Sequence, residues 1–167
     1  MRLPALLSTT LVALAAAAAA HAAPLGPVAD INITVGPELT KATEKFDQRD
    51  LDFLKTELRE SVERELARSG GEAGGRLDLV IEDAKPNRPT MRQMSRTPGL
   101  SFESRSIGGA DIAGTYTSAD GVSTPVSYSW YESDLRNVRA ASTWSDAEAT
   151  FDRFARRLAK GEQLAQK

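Results

Sequence analysis

No cysteine occurs anywhere in this sequence, and its single histidine, His21, stands in an N-terminal stretch that reads as a leader. Past residue 22 the chain therefore contains neither residue type. Disulfides and the usual His/Cys zinc sites are out of reach, so whatever forms must be held by a hydrophobic core alone. The 145 residues from Ala23 to Lys167 are enough for one domain to do so. The same absence removes Cys nucleophiles, Ser-His-Asp triads and histidine general bases. No catalytic residue, no metal site and no cofactor is expected.

Residues 1–22 read as a secretory signal peptide. Met1 and Arg2 give a thin positive start, and Leu6, Leu7, Leu11, Val12, Leu14 and the alanines to Ala20 form the apolar stretch. Ala20-His21-Ala22 places small residues where signal peptidase inspects them, which favours cleavage before Ala23. Ser8, Thr9 and Thr10 interrupt the run, and His21 and Pro24 end it, leaving less than the roughly 20 apolar residues of a membrane span. Residues 23–167 are expected to be one exported domain in the periplasm or the medium, neither membrane-spanning nor lipid-anchored. Charge adds little: 21 basic residues face 23 acidic ones, and removal of Arg2 leaves 20 against 23, a net −3. Such a balance carries no nucleic-acid footprint.

Periodicity supplies the elements. Ile31, Ile33 and Val35 alternate with Asn32 and Thr34 as a strand that Gly36-Pro37 stops. Glu38 to Phe46 reads as a loop or a short helical turn. Asp47 is a good N-cap, Phe46 is placed to staple against Leu51, and Leu51, Leu54, Leu58, Val62 and Leu66 line one helical stripe. Gly70 and Gly71 are C-cap candidates. Phe53 falls off the stripe. A second strand runs from Leu77 to Ala84.

The segment Ile107 to Trp130 reads as a β-hairpin. Ser118-Ala119-Asp120-Gly121 supplies turn chemistry between Asp111–Thr117 and Val122–Trp130. Ile112, Gly114 and Tyr116 share one face of its first strand, and Val126, Tyr128 and Trp130 share a face of the second; Pro125 marks an edge or bulge. A last helix follows Trp144, with Ser145 as N-cap and Glu148 three residues on as a capping box. Phe151, Phe154, Ala155 and Leu158 form its apolar stripe. Arg153, Arg156, Arg157 and Lys160 lie opposite and read as a solvated face.

Between these elements, Lys85 to Ser106 lacks periodicity for about twenty residues, a length that marks a candidate functional region. Thr90 is placed to cap a short helical turn through Met94. Lys85, Arg88, Arg92, Arg96 and Arg105 face a single acid, Glu103, within the segment. Two readings compete. The five cations assemble an anion site, since arginine binds planar oxyanions in bidentate fashion, or they form a solvated loop that pairs with Glu82, Asp83 and their neighbours. Carboxylates are the remaining catalytic acids, and Asp111, Asp120, Glu132, Asp134 and Asp146 are the candidates for a hydrolase pair, which requires two of them about 5 to 9.5 Å apart. Turn, helix N-terminus and exposed strand face each offer a plainer account of Asp120, Asp146 and Asp111.

Ile107-Gly108-Gly109-Ala110-Asp111-Ile112, the Asp120-Gly121 turn and the helix opening Trp144-Ser145-Asp146-Ala147 together resemble a group of uncharacterised bacterial periplasmic proteins and lipoproteins carrying a domain of unknown function. The resemblance implies an exported α+β domain of the envelope and brings no catalytic residues with it. This chain departs from the lipoprotein members by lacking the lipid-bearing cysteine.

The expected architecture is α+β: a two-layer sandwich in which a small mixed sheet of about four strands carries two amphipathic helices on one face, in the order β-α-β-loop-β-β-α. The leading functional expectation is a non-enzymatic binding or accessory protein of the bacterial envelope, partnered by an envelope protein or an anionic envelope component through the basic loop. A carboxylate-dependent hydrolase acting on envelope glycans is the rival. A structural assembly protein, with a contact patch around Phe53 or a free sheet edge, is the third reading.

Overall fold

A computed structural model describes residues 25, 27–42, 45–70, 74–138 and 141–162; the leader expected over residues 1–22 lies outside them. The alternation at the start of the chain forms strand β1, Asp30–Val35, with Ile31 and Ile33 turned to the core. A short helix α1, Pro37–Lys41, follows, started by the proline, whose missing N–H costs nothing at the first helical position. Helix α2 spans Gln48–Ser69. Asp47 accepts from the Arg49 and Asp50 amides while the Asp50 carboxylate accepts from the Asp47 amide, and Gly70 closes the other end at φ 67°. Leu54, Leu58, Val62 and Leu66 are fully buried, each contributing about 1.5–3 kcal/mol of apolar transfer. Phe46 and Leu51, the two ends of the expected staple, are both buried in the core, and the Phe46 ring lies 5.6 Å from that of Trp144.

Strand β2, Arg76–Lys85, pairs parallel with β1 and antiparallel with β3, Gly109–Thr117, which pairs antiparallel with β4, Ser123–Tyr131. The sheet order is β1-β2-β3-β4, an open mixed sheet. The β3–β4 turn is the expected one: the Gly121 amide bonds the Ser118 carbonyl at 2.9 Å, and Gly121 takes φ 87°. Gly114 is required by closeness rather than by φ. A Cβ there would lie 2.2 Å from the Asp78 carbonyl oxygen, so the approaching neighbour is the β2 backbone.

Helix α3, Met91–Arg96, is capped by Thr90 as predicted, with Gln93 completing a capping box. Helix α4, Ser145–Ala159, packs with α2 on one face of the sheet, burying Phe151 and Phe154 completely. This is the expected two-layer arrangement.

Two local expectations differ. Trp144, not Ser145, is the N-cap of α4, and it makes no side-chain capping bond. Ser145 instead accepts from the Ser142 amide at 2.7 Å, and Glu148 accepts from the Ser142 hydroxyl at 2.9 Å. The basic face of α4 is also only partly solvated. Arg153 lies 3.8 Å from the Trp130 ring centroid and Arg157 lies 5.7 Å from that of Tyr128, so the two guanidinium groups lie over aromatic rings of edge strand β4.

Candidate functional site

A groove of about 680 Å³ opens between α1 and the turn after it, the far end of β2, and the segment leading to β3. Three side-chain anchors hold the loop that forms its wall. The Thr90 hydroxyl, besides capping α3, donates to the Lys45 carbonyl at 2.5 Å, tying the loop to the turn before α2. The Ser106 hydroxyl donates to the Pro86 carbonyl at 2.5 Å and closes the base of the loop. The third is a buried knot around Asn87, which is 0% exposed.

The side chain of Asn87 does what the local sequence of α4 does not. Its Oδ1 accepts from the Asp146 amide at 2.7 Å, satisfying a free donor in the first turn of the helix. Its Nδ2 donates to the Asp146 carboxylate at 2.5 Å and to the Ser106 carbonyl at 3.2 Å. The Asp146 carboxylate also accepts from the Gly108 amide at 3.2 Å. Gly108 is glycine because a Cβ there would sit 2.6 Å from the Asn87 Oδ1.

The groove has an apolar lining that includes Leu39, Phe46, Pro89 and Ile107, and four cations, Lys41, Lys45, Lys85 and Arg105. Its two carboxylates are Glu38 and Asp83. Glu38 pairs with Lys41 at 3.3 Å, both side chains being exposed. Asp83 accepts from the Tyr131 hydroxyl at 2.7 Å. The Lys85 ammonium stands 4.8 Å from the Tyr131 ring centroid. Burial and the bond to Asp83 push the Tyr131 phenol well above its ordinary range, because ionising it would place a second negative charge beside a carboxylate. Tyr131 reaches Asp83 across Gly109, where a Cβ would lie 2.7 Å from the tyrosine ring and 2.3 Å from the Trp130 carbonyl oxygen. Lys45 and Arg105 have no carboxylate partner among the described residues.

Of the five cations singled out in the sequence, Lys85 and Arg105 line the groove. Arg88 does not; its guanidinium donates to the Phe102 carbonyl and braces the loop from within. Arg92 and Arg96 lie on α3 outside the groove lining, with Gln93 the α3 residue that lines it. As for the competing reading, no ion pair of Lys85, Arg92, Arg96 or Arg105 with Glu82 or Asp83 occurs among the described residues, where Asp83 accepts from Tyr131. Lys41 and Lys45 are the cations that sequence reasoning missed. Their signal was an i, i+4 spacing in a stretch that reads as a loop or a short helical turn.

The candidate carboxylates of a hydrolase pair are occupied separately. Asp120 accepts from Ser118 inside the hairpin turn. Glu132 accepts the Ser133 and Asp134 amides at 2.8 and 3.1 Å, and Asp134 binds Arg136 at 2.6 Å. Asp146 belongs to the Asn87 knot. Asp111 is only 7% exposed, contrary to the exposed strand face expected, and stands in register with Asp83 on β2 and Ser129 on β4. No group of three or more potential metal-ligating side chains occurs among the described residues.

Fold and groove define an open-sheet α+β protein with a cationic, partly apolar cleft at one end of the sheet. Neither a family model nor a curated protein matches the chain. A crystal structure of a minor lipoprotein from Acinetobacter baumannii aligns over 83% of this chain and 96% of its own, with 13% identity and a TM-score of 0.31.

Proposed function

We propose that this protein is a non-enzymatic binding or accessory protein of the bacterial envelope, whose groove takes an anionic envelope component. The observation that supports the reading is the groove itself, in which Lys45 and Arg105 have no carboxylate partner among the described residues and stand beside an apolar lining. An anion gains from such cations what a surface ion pair would otherwise supply, and the apolar wall accommodates the uncharged part of the same molecule. The leader-like residues 1–22 support export, and no helix among the described residues is long and apolar enough to cross a membrane.

A photoreactive residue at Gln93, in the groove wall, tests the proposal in cells. The expected result is one captured anionic component, with capture weakened by salt and lowered about tenfold when Lys45→Ala and Arg105→Ala are combined. Capture that both substitutions leave unchanged sinks the assignment of the groove.

A further inference from the structure

Seven large apolar side chains are exposed among the described residues, and four of them, Met91, Leu100, Phe102 and Ile107, fall in the one segment between β2 and β3. Met91 is 66% exposed and Phe102 is 52% exposed. They are also close in the fold. Leu100 and Ile107 border the same groove, Met91 opens α3, whose Gln93 borders it too, and the Phe102 carbonyl is held by Arg88 from the other limb of the loop. Interleaved with them are Arg92 and Arg96, four residues apart on α3 and so on one side of it, and Arg105. None of these three arginines has a carboxylate partner among the described residues.

A patch that is apolar and cationic at once is poorly served by water. Its rings and thioether gain from leaving water, while its guanidinium groups gain from anions without giving up hydration altogether. The boundary of an anionic bilayer offers both within a few ångströms: acyl carbon for the apolar tips and phosphate oxygens for the arginines. The bidentate geometry of a guanidinium suits a phosphate diester, and the aliphatic stems of arginine can lie along the apolar layer while their heads stay at its surface. We propose that the segment from Met91 to Ile107 docks this protein on an anionic phospholipid surface, with Met91 and Phe102 in the interfacial layer and Arg92, Arg96 and Arg105 among the phosphates. The groove mouth is then held against the membrane. This goes beyond the groove reading and does not require it.

Co-sedimentation of the chain from Ala23 with two sets of vesicles, phosphatidylcholine alone and phosphatidylcholine mixed with phosphatidylglycerol, tests the proposal. The expected result is binding to the mixed vesicles only, weakening with salt. Arg92→Gln combined with Arg96→Gln lowers that binding about 30-fold, at about fivefold for each charge removed from the surface. Met91→Ser combined with Phe102→Ser lowers it at least about tenfold while the unfolding midpoint in solution stays put. A Phe102→Trp variant shifts its emission to the blue on the mixed vesicles and not on phosphatidylcholine. Equal binding to both vesicle sets, binding indifferent to the Met91 and Phe102 substitutions, or no sedimentation overturns the proposal; the last result leaves an acidic protein as the occupant of the patch. Sedimentation without capture from Gln93 upholds the membrane proposal and sinks the groove reading, and capture without sedimentation does the reverse.

Discussion

The two ends of the segment between β2 and β3 are built on opposite principles. At its root, Asn87 and Asp146 are buried, and their side chains bond each other, the first turn of α4 and the backbone of Ser106 and Gly108. At its tip, Leu100 to Arg105 keeps Phe102 in solvent and is turned by short-range bonds, such as the Ser104 amide to the Ser101 carbonyl at 2.9 Å. Length without periodicity is therefore not looseness here. The root welds the loop to the helix layer, and that rigidity leaves the tip free to display apolar and basic side chains that contribute little to folding.

The contrast fails first if the root is not an anchor. Asn87→Leu leaves the Asp146 amide and carboxylate short of partners in a dry site, and a loss of about 3–5 kcal/mol is expected in chemical denaturation. A loss below about 1 kcal/mol would show that the knot is decoration. Gly108→Ala pushes a methyl group into Asn87 from the other side and is expected to cost about 1–3 kcal/mol. Combined with Asn87→Leu it should cost less than the sum, since both break one knot.

At the groove wall the expected effect is smaller and depends on pH. Tyr131→Phe removes one hydrogen bond, worth about 1 kcal/mol near neutral pH. The folded state holds the phenol protonated above its ordinary value of 10.0, so this contribution is complete below that pH and is lost as pH rises above it, when the unfolded tyrosine ionises first. The unfolding midpoint of the parent chain should therefore fall more steeply above about pH 10 than that of Tyr131→Phe. Parallel curves would remove the Asp83 bond from the account. At the tip, Phe102→Ser is expected to change stability by no more than about 0.5 kcal/mol, and hydrogen exchange should find the amides of residues 100–105 exchanging well before those of Asn87 and Asp146.

The same contrast separates what could be read in the sequence from what could not. Helix α2 was legible because its cap, its stripe from Leu51 to Leu66 and its terminal glycine all act within four residues of one another. The hairpin turn and the Thr90 cap were legible for the same reason. The start of α4 was misread: Ser145 and Glu148 satisfy a local pattern, yet the donor in the first turn is met by Asn87, 59 residues away. Arg153 and Arg157 looked solvated because the rings beneath them come from another element. The groove was half legible. Lys85 and Arg105 were picked out by charge in an irregular stretch, whereas Lys41 and Lys45 reach the same space only because Thr90 ties the Lys45 carbonyl to the loop.

The strand order carries a consequence for assembly. Each strand lies beside its neighbours in the chain, so none has to be threaded between two that have already paired. The tight β3–β4 hairpin can form first, β2 can add to its open side, and β1 can join last, across the 46 residues that separate Asp30 from Arg76. A chain that starts out unfolded can complete this sheet by accretion alone, with the strand nearest its N-terminus the last to be enrolled.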